Sequence, residues 1–376
     1  MKTMKRSEGK QMAVIGEKIK ISIFGESHGN GIGIVIDAPP AGYYIDLDKI
    51  KVQMARRSPG DPTYGTARKE ADIPEIISGV SFGKTNGFPL CAIIRNTNAR
   101  SSDYADIKPV PRPGHADYTA YIKYHGAADM SGGGHFSGRL TAPLVFAGAV
   151  IRQILSCHGI TVGAHVSSMK DIYDTEFNAV SPDIDLLNTL NKQPFAVIDS
   201  GKKEMMLDLM QKCKHNLDSV GGSVEAAAVG VPAGLGGPLF NGFDGKISGY
   251  VFGIPAVKAI EFGKGVESSL LFGSENNDEF MIDNNKIMTK TNNCGGILGG
   301  ISNGMPIIFK TTFKPTPSIA KKQNSVDIIN KCNTTLEIKG RHDPCVVPRA
   351  VVCIESALCL AIADAMAQDG LLNGGK

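Results

Sequence analysis

Residues 112–155, RPGHADYTAYIKYHGAADMSGGGHFSGRLTAPLVFAGAVIRQIL, predict the fold of this chain more strongly than any other stretch. Its second part, from Leu140 to Leu155, is apolar almost throughout. An apolar run of this length is typical of a helix that is buried on all sides. The prediction is therefore a helix in the centre of the molecule, with a polar, glycine-rich segment leading into it.

The segment before this helix has the features of a ligand site. It holds three of the eight histidines (His115, His125 and His135), and Gly132–Gly134 follow one another directly. Glycine lets the backbone approach a ligand closely. Ser137-Gly138-Arg139 just before a helix start is typical of an anion site. A glycine-rich turn whose histidines bond to backbone carbonyls is the structural alternative, and this stretch alone leaves it open.

Composition limits the kind of protein. Of the 376 residues, 42% are hydrophobic and 20% are charged, which is ordinary for a globular protein. The net charge of +3, from 40 basic and 37 acidic residues, argues against a general nucleic-acid or membrane-surface binder. Charge or glycine interrupts each apolar run before the ~18 residues of a membrane span. The eight cysteines form no C-x-x-C pair, which favours reduced thiols, a cytoplasmic protein and no structural zinc.

The remaining elements favour one large domain. Alternating apolar residues predict a hairpin of strands 19–24 and 32–36, with His28 in its loop, and a further short strand at 195–198. Asp46 is predicted to cap a helix that stops before Pro59. A last helix, which is apolar nearly all round, ends near Gly370. Apolar helices with strands before and after them predict a helix-cored α+β domain. We expect it to span residues 16–376, after a flexible segment at 1–15.

Six motifs occur in the order found in the chorismate synthase family. They are GESHG (25–29), RPGHADYT (112–119), GGGHFSGRLT (132–141), GGILGG (295–300), KPTPSI (314–319) and GRHDPC (340–345). The chain resembles this family from about residue 16 to its C-terminus. The resemblance implies a β-α-β sandwich, in which a helical core lies between two antiparallel sheets, and a homotetramer.

The same resemblance implies an activity. Members are lyases that convert 5-enolpyruvylshikimate 3-phosphate to chorismate by a 1,4-anti elimination of phosphate, the last step of the shikimate pathway. They need reduced FMN, although the reaction has no net redox change. NADPH bound by the enzyme itself and a separate flavin reductase are both open as the source of electrons.

Matching motifs imply the site residues. Three residues would be catalytic. His28 would act as a general acid for the leaving phosphate, His115 would protonate the reduced flavin, and Asp343 would help to remove the proton from C6. Substrate contacts would come from Arg57, Arg68, Arg112 and Arg139, because guanidinium groups bind phosphate and carboxylate in two-pronged contacts. Flavin contacts would come from His135, Phe136, Ser137, Pro255, Ala256, Gly299, Lys314, Pro315, Thr316, Pro317, Ser318 and Arg341.

The chain departs from its relatives at several of these positions. It has His135-Phe136-Ser137 where other members often have Arg-Ser-Ser, and Pro255 where many have Asn. Thr63 stands where some relatives carry an arginine in a loop rich in Gly and Pro. These differences concern the flavin and loop contacts and leave the predicted reaction unchanged.

Two other classes of function are less well supported. A metal-dependent hydrolase would use His28, His115, His135 and Asp343, but the chain has no H-x-x-x-H or H-E-x-x-H spacing. A non-catalytic protein that binds anions or nucleic acid through its arginines does not fit the near-neutral charge and the lack of a basic-aromatic run. We therefore expect an enzyme with no metal site.

Overall fold

A computed structural model describes residues 13–58, 72–96, 110–338, 343–372 and 374. The α-helices are α1 (Leu47–Arg57), α2 (Asp117–Lys123), α3 (Thr141–Cys157), α4 (Ile184–Leu190), α5 (Ser200–His215), α6 (Phe243–Phe252), α7 (Gly273–Asn276) and α8 (Val347–Gln368). The strands are β1 (Val14–Ile15), β2 (Lys20–Gly25), β3 (Gly31–Asp37), β4 (Pro74–Ser78), β5 (Val80–Ser81), β6 (Lys84–Thr85), β7 (Leu90–Arg95), β8 (Thr161–Met169), β9 (Ile172–Tyr173), β10 (Gly222–Val229), β11 (Val257–Phe262), β12 (Phe280–Asp283), β13 (Lys286–Thr289), β14 (Ile297–Leu298), β15 (Ile301–Ser302), β16 (Ile307–Phe313), β17 (Gln323–Asp327) and β18 (Cys332–Leu336).

Two antiparallel five-stranded sheets form the outer layers. The strand order is β1-β2-β3-β7-β4 in the first sheet and β11-β16-β10-β8-β9 in the second. The register between β2 and β3 brings Phe24 opposite Gly33, and Ile32 of β3 lies opposite Ile94 of β7. Small β-hairpins and short pairs, such as β12-β13 and β17-β18, lie outside these sheets.

Helices α3 and α8 fill the space between the sheets. They pack on each other, α3 also packs against β3 and β7, and α8 packs against β8 and β10. Gly148 permits the close approach of the two helices, because a Cβ there would lie 2.2 Å from the Cβ of Ser356. One continuous hydrophobic cluster joins both sheets to these helices. The prediction of a helical core between antiparallel sheets in an α+β fold is therefore confirmed.

A buried ion cluster connects the core helices. Glu355 of α8 is fully buried, and its two oxygens accept hydrogen bonds from Arg56 of α1 at 2.6 and 2.9 Å. Arg152 of α3 donates to the same carboxylate at 2.7 Å, and the backbone N–H of Ala164 donates at 3.1 Å. A buried charge needs such partners because it has lost its hydration. The cluster thus fixes α1, α3 and β8 around α8.

Two segments, Gly138–Cys157 and Val347–Gln368, are long and apolar enough to cross a membrane. In the fold they are core segments, with 78% and 94% of their most apolar windows buried inside the protein. Their apolar character therefore has a structural explanation in the packing between the two sheets.

Most of the predicted elements named above agree with the structure, and one strand differs. Asp46 caps α1 through its side chain, and the predicted hairpin corresponds to β2 and β3. The strand predicted at 195–198 is wrong, because this segment is a coil that contributes one ladder-like bond, from the N–H of Val166 to the carbonyl of Ala196. Val14–Ile15 pair with β2. The flexible segment over 1–15 stays a prediction, because residues 1–12 lie outside the described residues.

The second sheet contains a buried histidine between two carboxylates. His165 of β8 is fully buried, with Nδ1 2.8 Å from Asp174 and Nε2 2.9 Å from Glu225. Burial lowers the pKa of His165, but the hydrogen bonds and charges of the two carboxylates outweigh it and raise the pKa above 6.5. The ring is therefore a charged group that holds β8 to β10.

We expect this imidazolium to make stability depend on pH. Since the folded ring has the higher pKa, its stabilising contribution is complete below the unfolded value of ~6.5 and is lost as the pH rises through the folded value. His165→Gln should lower the free energy of unfolding by about 3–5 kcal/mol near neutral pH, because it leaves buried carboxylates unpaired. Urea titrations at several pH values above neutral should show a flatter pH dependence in the variant.

The double variant His165→Gln/Glu225→Gln is the control, since it removes one of the unpaired charges and should recover part of the lost stability. An equal pH dependence in wild type and His165→Gln would contradict a charged His165.

Candidate functional site

A cavity of about 830 Å³ opens at one end of the helical core. Its wall includes residues of β1, β2, α3, α6 and α8 and of the loops between β7 and α3 and after β16. Most of the predicted site residues line it, namely Arg57, Arg112, His115, His135, Phe136, Ser137, Arg139, Pro255, Ala256, Lys314, Thr316, Pro317, Ser318 and Asp343. The fold thus brings together motifs that are far apart in the sequence.

The first residue of the triple glycine, Gly132, lines the cavity, and the glycines pack on the loop that carries His28. Gly132 has a φ of +62°, and a Cβ on it would lie 1.9 Å from Cε1 of His28. The N–H of Ser27 donates to the carbonyl of Gly134 at 3.2 Å, and Nδ1 of His135 lies 2.9 Å from the carbonyl of Gly25. His28 therefore stands behind Gly132 and is not itself among the cavity-lining residues.

Two of the predicted substrate arginines share one buried carboxylate. Asp72, whose side chain is fully buried, accepts a hydrogen bond from Arg57 at 2.5 Å and another from Arg139. The guanidinium of Arg57 also donates to the hydroxyl of Thr141 and the carbonyl of Gly138. Burial raises the pKa of Asp72, but the charges and hydrogen bonds of the two arginines outweigh it and hold the pKa below 3.8. Asp72 is therefore an ionised counter-ion that orients both arginines.

The third predicted substrate arginine belongs to a cluster with His115. Arg112 donates to Asp117 through Nε and Nη2, both at 2.7 Å, and through its backbone N–H at 2.9 Å. Nδ1 of His115 lies 2.7 Å from Oδ1 of the same carboxylate. The pKa of Asp117 is raised by burial, yet the hydrogen bonds and charges of Arg112 and His115 bring it well below its ordinary value. Asp117 is therefore ionised.

Asp343 is held by an arginine of the last helix. Oδ2 of Asp343 accepts a hydrogen bond from Arg349 at 2.5 Å, and Nε of Arg349 donates to the backbone carbonyl of Arg57 at 2.8 Å. The other oxygen, Oδ1 of Asp343, is buried and has no hydrogen-bond partner among the residues that the structure describes. A buried acceptor without a partner is costly, so this oxygen is suited to accept a proton or hydrogen bond from a ligand.

Another part of the lining comes from the segment 314–318, of which all residues except Pro315 line the cavity. The N–H of Lys314 donates to the carbonyl of Ala256 at 3.0 Å, which brings the two predicted flavin segments together. Its ammonium group donates to the carbonyl of Gly114, and burial, together with the charge of Lys258, lowers its pKa. The hydroxyl of Thr316 is buried and lacks a hydrogen-bond partner within the described part of the chain. This segment therefore offers a cation and a hydroxyl that a ligand could bond to.

Some predicted residues lie elsewhere. Gly299 is in the turn between β14 and β15, and neither it nor Pro315 is among the cavity-lining residues. Arg68, Arg341 and Thr63 lie outside the described residues. Within the described ranges, no group of three or more His, Cys, Asp or Glu side chains could hold a metal ion.

Three charged residues of the site were not predicted from the sequence: Asp72, Asp117 and Arg349. Asp72 is 15 residues from Arg57 and 67 from Arg139, so no local pattern indicates its role. For Arg349 and Asp117 the sequence contains a weak indication of a role in the site. Each is a charged residue near a predicted site residue, and Arg349 begins an almost wholly apolar helix, where a charge needs a partner.

Comparison with known proteins shows the family of the chain. The chorismate synthase family matches residues 19–367 of the chain. The chorismate synthase of Lancefieldella parvula is 44% identical over 365 residues, which cover 94% of this chain and 96% of the relative. That of Thermococcus kodakarensis is 44% identical over 349 residues, covering 93% and 96%. A chorismate synthase crystal structure superposes with a TM-score of 0.72 at 26% identity, covering 94% of this chain and 93% of the other. The chain therefore belongs to the chorismate synthase family of lyases.

Proposed function

We propose that this protein converts 5-enolpyruvylshikimate 3-phosphate to chorismate and phosphate by a 1,4-anti elimination, the last step of the shikimate pathway. Reduced FMN is required, and the reaction consumes no reductant. The observation that supports the proposal best is the arrangement of charges in the 830 Å³ cavity, which most of the described motif residues of the predicted site line. A substrate with one phosphate and two carboxylates needs such a concentration of positive charge.

Cations face the cavity, and most of their counter-ions stand behind them. The lining includes five cationic side chains, those of Arg57, Arg112, Arg139, Lys314 and Arg349. Asp72 and Asp117, which orient three of these arginines, are not part of the lining. The carboxylates therefore fix the direction of the guanidinium groups without occupying the space where an anionic ligand would bind.

The cavity also has features that fit a flavin. Its volume of about 830 Å³ exceeds that of a single small substrate and lies in the upper range of ligand pockets, about 300–1,000 Å³. Apolar side chains, such as those of Ile15, Leu144 and Phe313, line part of it. The buried, unpartnered oxygens of Thr316 and Asp343 would gain hydrogen-bond partners from a polar ring system. Reduced FMN, when bound, supplies the electron-rich ring that lowers the barrier to breaking the C–O bond.

The chain's own residues then have separate tasks. Arg57, Arg112 and Arg139 bind and orient the phosphate and carboxylate groups. His115 moves a proton at Nε2, the ring nitrogen that is not bonded to Asp117, and Oδ1 of Asp343 accepts the proton that leaves carbon. His28, behind Gly132, serves the departing phosphate. General acid–base groups of this kind each contribute ~10²–10⁴-fold to rate.

The flavin must receive electrons from outside the reaction. NADPH used by this chain and a separate flavin reductase are the two candidate sources. Product formation with NADPH and FMN alone, without dithionite or an added reductase, would identify the first source, and its absence would identify the second.

We also propose that the chain acts as a homotetramer in the cytoplasm, with residues 16–376 as one domain. Support for assembly comes from large apolar side chains left exposed, such as Phe240 (101%), Leu239 (88%) and Phe272 (77%). The continuous hydrophobic cluster supports a single domain, and the eight free cysteines support a reducing compartment. Sedimentation velocity measures the oligomeric state directly.

The test of the proposed function is an anaerobic assay of the purified protein with FMN, dithionite and 5-enolpyruvylshikimate 3-phosphate. We expect chorismate and phosphate to appear in equal amounts, at a rate proportional to protein. The same mixture with oxidised FMN and no dithionite is the control and should give no product. Absence of chorismate from protein that is folded by circular dichroism would contradict the proposal.

A further inference from the structure

Asp117 lies between Arg112 and His115 and bonds to both. Its Oδ2 accepts from the backbone N–H and from Nε of Arg112, at 2.9 and 2.7 Å. Its Oδ1 lies 2.7 Å from Nη2 of Arg112 and 2.7 Å from Nδ1 of His115. His115 lines the cavity, whereas Asp117 does not. The carboxylate therefore contacts the predicted catalytic ring from the side away from the ligand space.

This geometry decides which ring nitrogen carries a proton. An ionised carboxylate only accepts hydrogen bonds, so Nδ1 must donate and must bear the proton. Nη2 of Arg112 is 3.1 Å from Nδ1 as well, but a guanidinium also only donates and cannot bond to a protonated Nδ1. Nε2 is then the nitrogen that changes its protonation. It lies next to Gly133, where a Cβ would be 3.3 Å away, and the φ of +95° at this glycine favours the absence of a side chain.

We infer that Asp117 is a positioning residue that fixes His115 as the Nδ1–H tautomer and leaves Nε2 as the nitrogen that exchanges a proton. The inference rests on the proposed function, in which His115 moves a proton. A histidine oriented by a carboxylate in this way keeps its reactive nitrogen free and gains stability when it becomes charged. Here the carboxylate is shared with Arg112, so the ring receives only part of its negative charge.

Because Asp117 bonds to both Arg112 and His115, Arg112 has a second task besides binding an anion. Two of its side-chain donors and its backbone N–H are directed at Asp117, whereas its Nη1 is left with one long contact, 3.4 Å, to the hydroxyl of Ser318. Nη1 is therefore the part of the guanidinium best able to bind an anion in the cavity. The other donors hold the carboxylate in the orientation that His115 requires.

Asp117→Asn tests the inference, because an amide has one acceptor oxygen in place of two. The backbone N–H and Nε of Arg112 both need the acceptor at the corner of Oδ2, whereas Nη2, the third donor, lies 3.1 Å from Nδ1 of His115 and can bond to it instead of Oδ1. The amide oxygen should therefore take the Oδ2 corner, and both the amide NH₂ and Nη2 then present donors to Nδ1. Nδ1 must then accept, and the proton moves to Nε2. Nitrogen NMR of histidine-labelled protein distinguishes the two neutral tautomers, and His115→Gln assigns the signal.

We expect His115 to be the Nδ1–H tautomer in the wild type and the Nε2–H tautomer in Asp117→Asn. Arg112→Gln keeps the carboxylate and should keep Nδ1–H, which separates the effect of Asp117 from that of Arg112. The signal of His215, an exposed residue of α5, should be the same in all variants and reports correct folding. An Nδ1–H ring in folded Asp117→Asn, or its loss in folded Arg112→Gln, would overturn the inference.

The tautomer measurement needs no flavin or substrate, so it stands apart from the proposed function. If the tautomer changes, chorismate formation by Asp117→Asn should fall by about 10²-fold, the lower range for general acid–base catalysis. An unchanged turnover rate in the variant with the altered tautomer would remove His115 from the reaction. Absence of activity in the wild type would contradict the proposed function and leave the assignment of the ring intact.

Discussion

Asp343→Asn is expected to lower chorismate formation by ~10²–10⁴-fold, the range for loss of a general base. The amide keeps the shape of the carboxylate and can still accept a hydrogen bond from Arg349, so folding and substrate affinity should change little. It cannot take a proton at the position of Oδ1, the buried oxygen that has no hydrogen-bond partner among the described residues. Pre-steady-state measurement of chorismate formation, together with substrate titration, separates these two effects.

A variant of Arg349 tests the same carboxylate, that of Asp343, in a second way. Arg349→Ala removes the 2.5 Å contact that orients Asp343 and should lower turnover as well, but added guanidinium ion should restore part of the activity. Asp208→Asn changes an exposed carboxylate of α5 and is the matched control. Full activity in Asp343→Asn would exclude this residue as the proton acceptor.

Arg139→Ala is expected to weaken substrate binding by about 2–5 kcal/mol, or roughly 30- to 5,000-fold in Kd. The expected loss is this large because the arginine is buried, with a side chain 4% exposed, and would contact an anion inside a cavity. The variant should also lose folding stability, since Asp72 then keeps only one of its two arginines. Calorimetric titration with substrate and urea denaturation measure the two quantities separately.

The double variant Arg139→Ala/Asp72→Asn separates binding from folding. Asp72→Asn alone leaves two buried arginines without their counter-ion and should be strongly destabilising, by about 3–5 kcal/mol. In the double variant one cation and one anion are removed together, so much of the stability should return while substrate binding stays weak. Recovery of substrate affinity in the double variant would mean that Arg139 acts on the fold alone.

The stability that Asp72 and its two arginines contribute depends on pH, and its direction follows from the lowered pKa of Asp72. Because the pKa of Asp72 in the folded protein is lowered, its stabilising contribution is present above the unfolded value of about 3.9 and is lost as the pH falls through the folded value. His165, with its raised pKa, loses its contribution in the opposite direction, as the pH rises. The two buried clusters thus oppose unfolding most strongly together between these limits.

The sequence predicted the parts of the fold that depend on local pattern. The apolar runs of α3 and α8 indicated buried helices, because a helix without a polar face must be covered on all sides. The hairpin of β2 and β3 and the cap at Asp46 were likewise visible in the sequence. The two-sheet arrangement itself came from the resemblance, since periodicity does not determine which strands pair.

The site likewise has residues that local sequence patterns predict and residues that only the tertiary structure reveals. Short motifs identified His115, Arg139 and Asp343, but the residues that orient them could not be found by spacing. Asp72 meets Arg139 only after the first sheet and α3 have packed together. The strand predicted at 195–198 failed for a related reason: a short apolar segment there is buried as coil, with Phe195 and Ala196 each 1% exposed.

The most direct test of the central claim is anaerobic turnover with a limiting, known amount of reduced FMN and no other reductant. We expect each reduced flavin to support the formation of many molecules of chorismate, with one phosphate released per chorismate and the flavin still reduced at the end. Formation of one chorismate per reduced flavin, with the flavin oxidised in step, would contradict a reaction without net redox change.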